Sequence, residues 1–214
     1  MNTSVVPGGL LLAALAVAGF DWFAVSRGHR VLEYLCKPGV MLLLASSAVA
    51  LHPASDSQRA WFVAALLLGA VGDVLLMLPR DLFLPGLLAF LLGHLAYAGG
   101  FLATGFSPPR ALFIAVVLAA ALLLILPRVL RGAAKHSPAL APAVAVYALA
   151  ISAMATTAFA SRLPIAVAPA ILFLGSDALI AFRRFVSPMP WMPVTIMVTY
   201  HLAQVGLVLS LTFR

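Results

Sequence analysis

The chain has 214 residues, of which 64% are hydrophobic and only 9% charged, and its mean hydropathy is +1.13. A soluble domain carries roughly 25% charged residues, so this composition excludes one and defines a polytopic membrane protein. The net charge of +7 does not point to nucleic acid, because the 13 basic residues are scattered between apolar runs, where they act as topology signals and lipid-headgroup contacts.

At about 20 apolar residues per crossing, the length holds roughly eight helices. The expectation is one all-α transmembrane domain over 1–214 with no sizeable soluble part. The single cysteine, Cys36, excludes an internal disulfide and a multi-cysteine metal site.

Helix 1 is predicted over 8–26. It lacks a basic leader and more spans follow, so it is a span and not a signal peptide. It carries Asp21 and Trp22 near its far end, with Arg27 or a loop arginine as the expected partner of Asp21. Helix 2 begins at Val31 or Pro38 and ends at Leu51, with Lys37 near its start and a Glu33–Lys37 pair at helical spacing. His52-Pro53-Ala54-Ser55-Asp56 is a turn. Helix 3, over 58–78, carries Asp73 and stops at Pro79-Arg80-Asp81. Helix 4, over 82–104, contains Gly93-His94-Leu95-Ala96-Tyr97.

Ser107-Pro108-Pro109-Arg110 breaks the chain, since proline has no amide donor and a fixed φ. Helix 5, over 111–130, has no polar side chain before Arg128 and reads as a lipid-facing scaffold. A basic loop over 128–136 follows. Helix 6 covers 139–161 with Tyr147, helix 7 covers 163–185 with Asp177, and helix 8 covers 191–213 with Tyr200-His201-Leu202-Ala203-Gln204.

Nine basic residues (Arg27, Arg30, Lys37, Arg80, Arg128, Arg131, Lys135, Arg183 and Arg184) fall on one side. Four (Arg59, Arg110, Arg162 and Arg214) fall on the other. The positive-inside rule then puts the first side in the cytoplasm and both termini outside. Arginine outnumbers lysine 11 to 2, which hints at a GC-rich bacterial genome and hence a bacterial inner membrane.

Two stretches stand out: Leu68-Gly69-Ala70-Val71-Gly72-Asp73-Val74-Leu75-Leu76 and Leu172-Phe173-Leu174-Gly175-Ser176-Asp177-Ala178-Leu179-Ile180. An acidic side chain at membrane depth costs ~2.5 kcal/mol or more. Interhelical hydrogen bonds average only ~0.6 kcal/mol in return, which favours function over packing. Six residues separate Asp73 from Pro79 and Asp177 from Arg183, so each carboxylate sits roughly 9 Å inside the basic end. His94 and His201 lie roughly 14 to 18 Å from it.

The aspartates are 104 residues apart and the histidines 107. This spacing suggests a weak duplication into two parallel four-helix halves, whose pseudo-twofold would bring both aspartates to one cavity open at the basic side. One protonated acid beside one carboxylate is the arrangement that general acid–base chemistry requires. Lys37 either reaches that level or snorkels to the headgroups. His94 and His201 fit cross-helix hydrogen bonds better than a metal, since no H-x-x-x-H spacing is present, and no metal or cofactor is expected. Tyr97, Tyr147, Tyr200 and Gln204 are amphipathic enough to line a pocket. Arg183 and Arg184 read as topology anchors or as phosphate contacts.

The chain resembles the lysoplasmalogenase family, the YhhN-like integral membrane proteins. The resemblance rests on Lys37-Pro38 opening helix 2, Gly72-Asp73-Val74-Leu75-Leu76, Gly93-His94-Leu95-Ala96-Tyr97, Ser176-Asp177-Ala178-Leu179 with Arg184-Phe185, and Tyr200-His201-Leu202-Ala203-Gln204. It extends over nearly the whole chain. It implies hydrolysis of the vinyl ether of a lysophospholipid substrate, releasing a fatty aldehyde and glycerophospho-ethanolamine or glycerophospho-choline. Asp73 and Asp177 would be the catalytic pair, either one serving as the acid. Lys37, His94, Tyr97, Tyr147, Tyr200, His201 and Gln204 would contact substrate or water, with membrane lipids around and no nucleic acid. A proton-coupled transporter would use the same carboxylates, although broken helices are few here. An intramembrane aspartyl protease would need Gly-x-Gly-Asp where this chain has Ala70-Val71-Gly72-Asp73.

Overall fold

The computed structural model describes residues 5–53 and 55–213; Ala54 of the expected turn and Arg214 of the basic-residue tally lie outside them. The described chain forms α1 (Val5–Arg27), α2 (Arg30–Ala50), α3 (Asp56–Met77), α4 (Phe83–Leu102), α5 (Pro108–His136), α6 (Leu140–Ala160), α7 (Val167–Phe185) and α8 (Met192–Ser210). A short 3₁₀ turn, Pro164–Ala166, leads into α7. All eight α-helices are long and apolar enough to cross a membrane. Local chemistry sets their starts. The Ser55 hydroxyl accepts from the Gln58 amide at 3.2 Å and caps α3, and Pro108 opens α5, where a missing amide costs nothing.

Two boundaries differ from expectation. Of the two expected starts of helix 2 the structure takes the earlier: α2 begins at Arg30, next to Val31, so Lys37-Pro38 does not open it but lies two turns inside. Glu33 in its first turn complements the helix dipole, and the Lys37 ammonium donates to Glu33 at 2.6 Å along the same face. The second difference is at the basic 128–136 segment, which is not a loop but the end of α5, continuing through Pro127. Its side chains back-bond the helix. Arg128 donates to the Leu124 carbonyl at 3.0 Å and Arg131 to the Pro127 carbonyl at 3.1 Å, while His136 Nδ1 meets the Gly132 carbonyl at 3.0 Å. These contacts give carbonyls one turn back a second, side-chain partner and fold the basic side chains onto the helix.

Consecutive helices pack as hairpins α1–α2, α3–α4, α5–α6 and α7–α8, joined by α2–α3, α4–α6 and α1–α8. In lipid, helix association rests on close van der Waals fit and polar contacts. The fit here is aromatic and small-residue. Phe62 meets Tyr97 edge-on at 4.8 Å, Phe173 meets Tyr200 at 5.4 Å, and Phe90 meets Tyr200 at 5.9 Å. The outer wall is α5, where Leu112, Phe113, Leu123 and Leu124 are each about 70% exposed, in keeping with a lipid-facing scaffold. Its inner edge, Val129 and Ala133, packs with Phe83, Leu140, Val144 and Phe185 near the arginine-rich end.

The two halves are related only in part. The contact of α4 with α6 has its counterpart in α8 with α2, as a twofold requires. The contact of α1 with α8 has no counterpart of that kind, since among the described residues the α5 and α4 backbones do not come close and the two helices meet only through side chains around Phe83. The α3 and α7 backbones do not come close either, and both helices line one cavity.

Candidate active site

A cavity of about 450 Å³ lies between α2, α3, α4, α7 and α8. Asp73 and Asp177 both line it, together with Lys37 and Tyr200. Leu76, Phe90, Ile180, Ile196 and Met197 give it an apolar wall, and the exposed Arg183 and Pro188 are on its rim. The two carboxylates are nearly out of solvent, at 4% and 9% exposure.

Asp73 depends on a tight α3–α4 crossing. Gly72 lets the Phe90 ring close over α3, since a Cβ there would come within 2.6 Å of it. Phe90 in turn packs on Tyr200, whose hydroxyl donates to Asp73 Oδ2 at 3.0 Å and has Met41 Sδ at 3.3 Å on its other side. Behind Tyr200, the Tyr97 hydroxyl donates to Gln204 Oε1 at 2.5 Å, and both residues are about 1% exposed.

Asp177 is braced more heavily. The Tyr147 hydroxyl donates to its Oδ2, and His94 Nε2 lies 3.0 Å from the same oxygen and 2.9 Å from the Tyr147 hydroxyl. Phe173 holds the His94 ring edge-on at 4.7 Å. The preceding Ser176 donates to the Ile196 carbonyl at 3.1 Å and ties α7 to α8. Every hydrogen bond to either aspartate falls on Oδ2. Each Oδ1 therefore has no protein partner among the described residues.

The expected substrate contacts divide into two groups. Lys37 and Tyr200 line the cavity, whereas His94, Tyr97, Tyr147 and Gln204 form a layer behind it, holding the residues that do. His201 is set apart. It is fully buried and its Nδ1 accepts from Trp22 Nε1 at 3.0 Å, so it fastens α8 to α1. The residue that matches His94 by role is Tyr200, each reaching across to the aspartate of the other half.

Asp21 also departs from expectation. Among the described residues it pairs with no arginine. It is fully buried, and neither carboxylate oxygen has a hydrogen-bond partner among the described residues. Two further contributors went unread in the sequence, Phe90 and the Asp81–Arg184 pair, because neither has a local signal.

An all-helical bundle of eight apolar spans, with two carboxylates each braced by a phenol at one partly apolar cavity, defines a polytopic membrane protein. The chain belongs to the YhhN family, whose model matches residues 32–211. It is 37% identical over 187 residues to a lysoplasmalogenase of Mycobacterium tuberculosis, covering 83% of this chain and 69% of that protein. It is 32% identical over 193 residues to the Homo sapiens lysoplasmalogenase TMEM86B, covering 89% of this chain and 76% of that protein. No solved structure matches it.

Proposed function

We propose that the chain is a membrane hydrolase that cleaves the vinyl ether of lysoplasmalogens. One arrangement carries the reading: two carboxylates, one from each half, facing a shared cavity with an apolar wall on one side and basic residues at its rim. The relatives named lysoplasmalogenase support the substrate class.

The bracing divides the roles. Asp177 Oδ2 accepts from Tyr147 and, with the proton of His94 on Nε2, from His94 as well; an ionised carboxylate only accepts, so this setting suits Asp177 as the anion. Asp73, with one donor, is the acid. Asp73 gives its proton to the outer vinyl carbon, and positive charge forms on the carbon that bears oxygen. Asp177 stabilises this oxocarbenium ion and takes a proton from the water that adds to it. The hemiacetal then collapses. Asp177 returns its proton to the departing glycerol oxygen, Asp73 takes the hydroxyl proton, and both regain their starting states. Glycosidases meet a related cation with two carboxylates, by analogy. Lys37 lines the same cavity, with its ammonium bonded to Glu33. Nine of the 13 basic residues lie at the end where the cavity opens, which supports an inner-membrane orientation with the cavity open to the cytoplasm and the termini outside.

The test is aldehyde release by purified protein from a lysoplasmalogen and from an ester lysolipid of the same chain length. Aldehyde from the first and no hydrolysis of the second is the expected result. No aldehyde from either would reject the hydrolase and turn attention to transport.

A further inference from the structure

Beside the main cavity lies a second one of about 210 Å³, formed by the α3–α4 loop and the end of α7. The two cavities share Leu76, Phe83 and Arg184. Arg184 is the wall between them. Its guanidinium stacks on the Phe83 ring at 3.9 Å, and Nη2 alone donates to both oxygens of Asp81, at 3.0 and 3.1 Å. The rest of the fork is unused. Nε is buried with no acceptor, and Nη1 has no hydrogen bond among the described residues. An arginine held flat with idle donors is poised for an anion with several oxygens. Asp81 is 75% exposed in its side chain, so the pair that now closes the site contributes little net and is exchangeable.

Position completes the case. Arg184 is seven residues beyond Asp177, with Ile180 between them on the same cavity-lining face, so it stands roughly 10 Å along the axis towards the rim. In a lysophospholipid with its ether at Asp177, the phosphorus lies one glycerol and one ester oxygen further along. An ammonium, where the headgroup has one, lies one short ethylene link beyond.

We propose that this loop-side cavity is the headgroup subsite, with Arg184 binding the phosphate of a lysophospholipid and Asp81 binding the ammonium of a zwitterionic headgroup. It rests on the lipid-hydrolase reading and deepens it. Arg184 and Asp81 satisfy each other when no lipid is bound. A phosphoethanolamine or phosphocholine group inserts between them with charges matched at both ends, while a bare phosphate monoester leaves Asp81 facing an anion.

The experiment measures binding of saturated alkyl-ether lysolipids, which cannot be cleaved, to purified protein in neutral detergent. One ligand carries phosphoethanolamine and the other phosphate alone on the same chain. Wild type is expected to bind the zwitterion about tenfold more tightly, the size of one charge-assisted contact. Asp81→Asn brings the ratio close to one, Asp81→Glu keeps it, and Arg184→Ala weakens both ligands. Melting temperatures in the same detergent show that each variant is folded. Equal binding by wild type, or an undiminished ratio in Asp81→Asn, overturns the subsite. So does displacement of the zwitterion by equimolar inorganic phosphate, which would make this a free-phosphate site. Because the ligands contain no vinyl group, these outcomes are independent of aldehyde release, which tests the hydrolase itself.

Discussion

Tyr147 contributes to the site without lining the cavity. Its hydroxyl and His94 Nε2 converge on one oxygen of Asp177, Oδ2, and this fixes the orientation of a carboxylate that lines the cavity. Tyr147→Phe should therefore lower kcat about 10- to 100-fold, the worth of a hydrogen bond to a charged group. KM should change little in steady-state assays, and a rise in KM with kcat unchanged would count against this role. The residue scale is also where the sequence was least legible. The cost of burying Asp73 and Asp177 in apolar runs was readable from the chain alone. The partners were not, because Tyr200 and His94 reach their aspartates across 127 and 83 residues. Aligning His94 with His201 by spacing hid the fact that His201 turns to Trp22 and leaves Tyr200 to face the cavity.

At the level of helices, the small residues before each aspartate have different duties. Gly72 admits the Phe90 ring, while Gly175 has open space where a Cβ would go. Gly72→Ala should lower stability by about 1–3 kcal/mol, as overpacking does, and lower activity with it through Phe90 and Tyr200. Gly175→Ala should be tolerated or mildly stabilising, since alanine is the better helix former by about 1 kcal/mol. Thermal melts of the two variants in one detergent check the contrast. The eight spans were legible because apolar length is a direct physical requirement of the bilayer. The end of α5 was not, since Pro127 and a cluster of basic residues look like a loop until their side chains are seen bonding the carbonyls one turn back. The pairing of Asp81 with Arg184 joins a loop to a helix end 103 residues away and left no trace in the spacing.

The whole molecule brings together what neither half holds alone. Among the described residues the α3 and α7 backbones do not come close, yet each delivers one carboxylate to the same space, and each carboxylate is braced by a residue of the opposite half. The crossed bracing and the presence of both α4–α6 and α8–α2 contacts are what a twofold would give, whereas the closing of α1 on α8 is not matched between α5 and α4. If the two acids act in one proton cycle, removing either stops it. The decisive measurement is the rate of aldehyde release by wild type, Asp73→Asn, Asp177→Asn and the double variant. Each single variant should lose at least about 10²-fold, and the double variant should be no worse than the poorer single, as for groups that act as a unit. A single variant that keeps the wild-type rate, or losses that multiply in the double variant, would contradict a shared acid–base site.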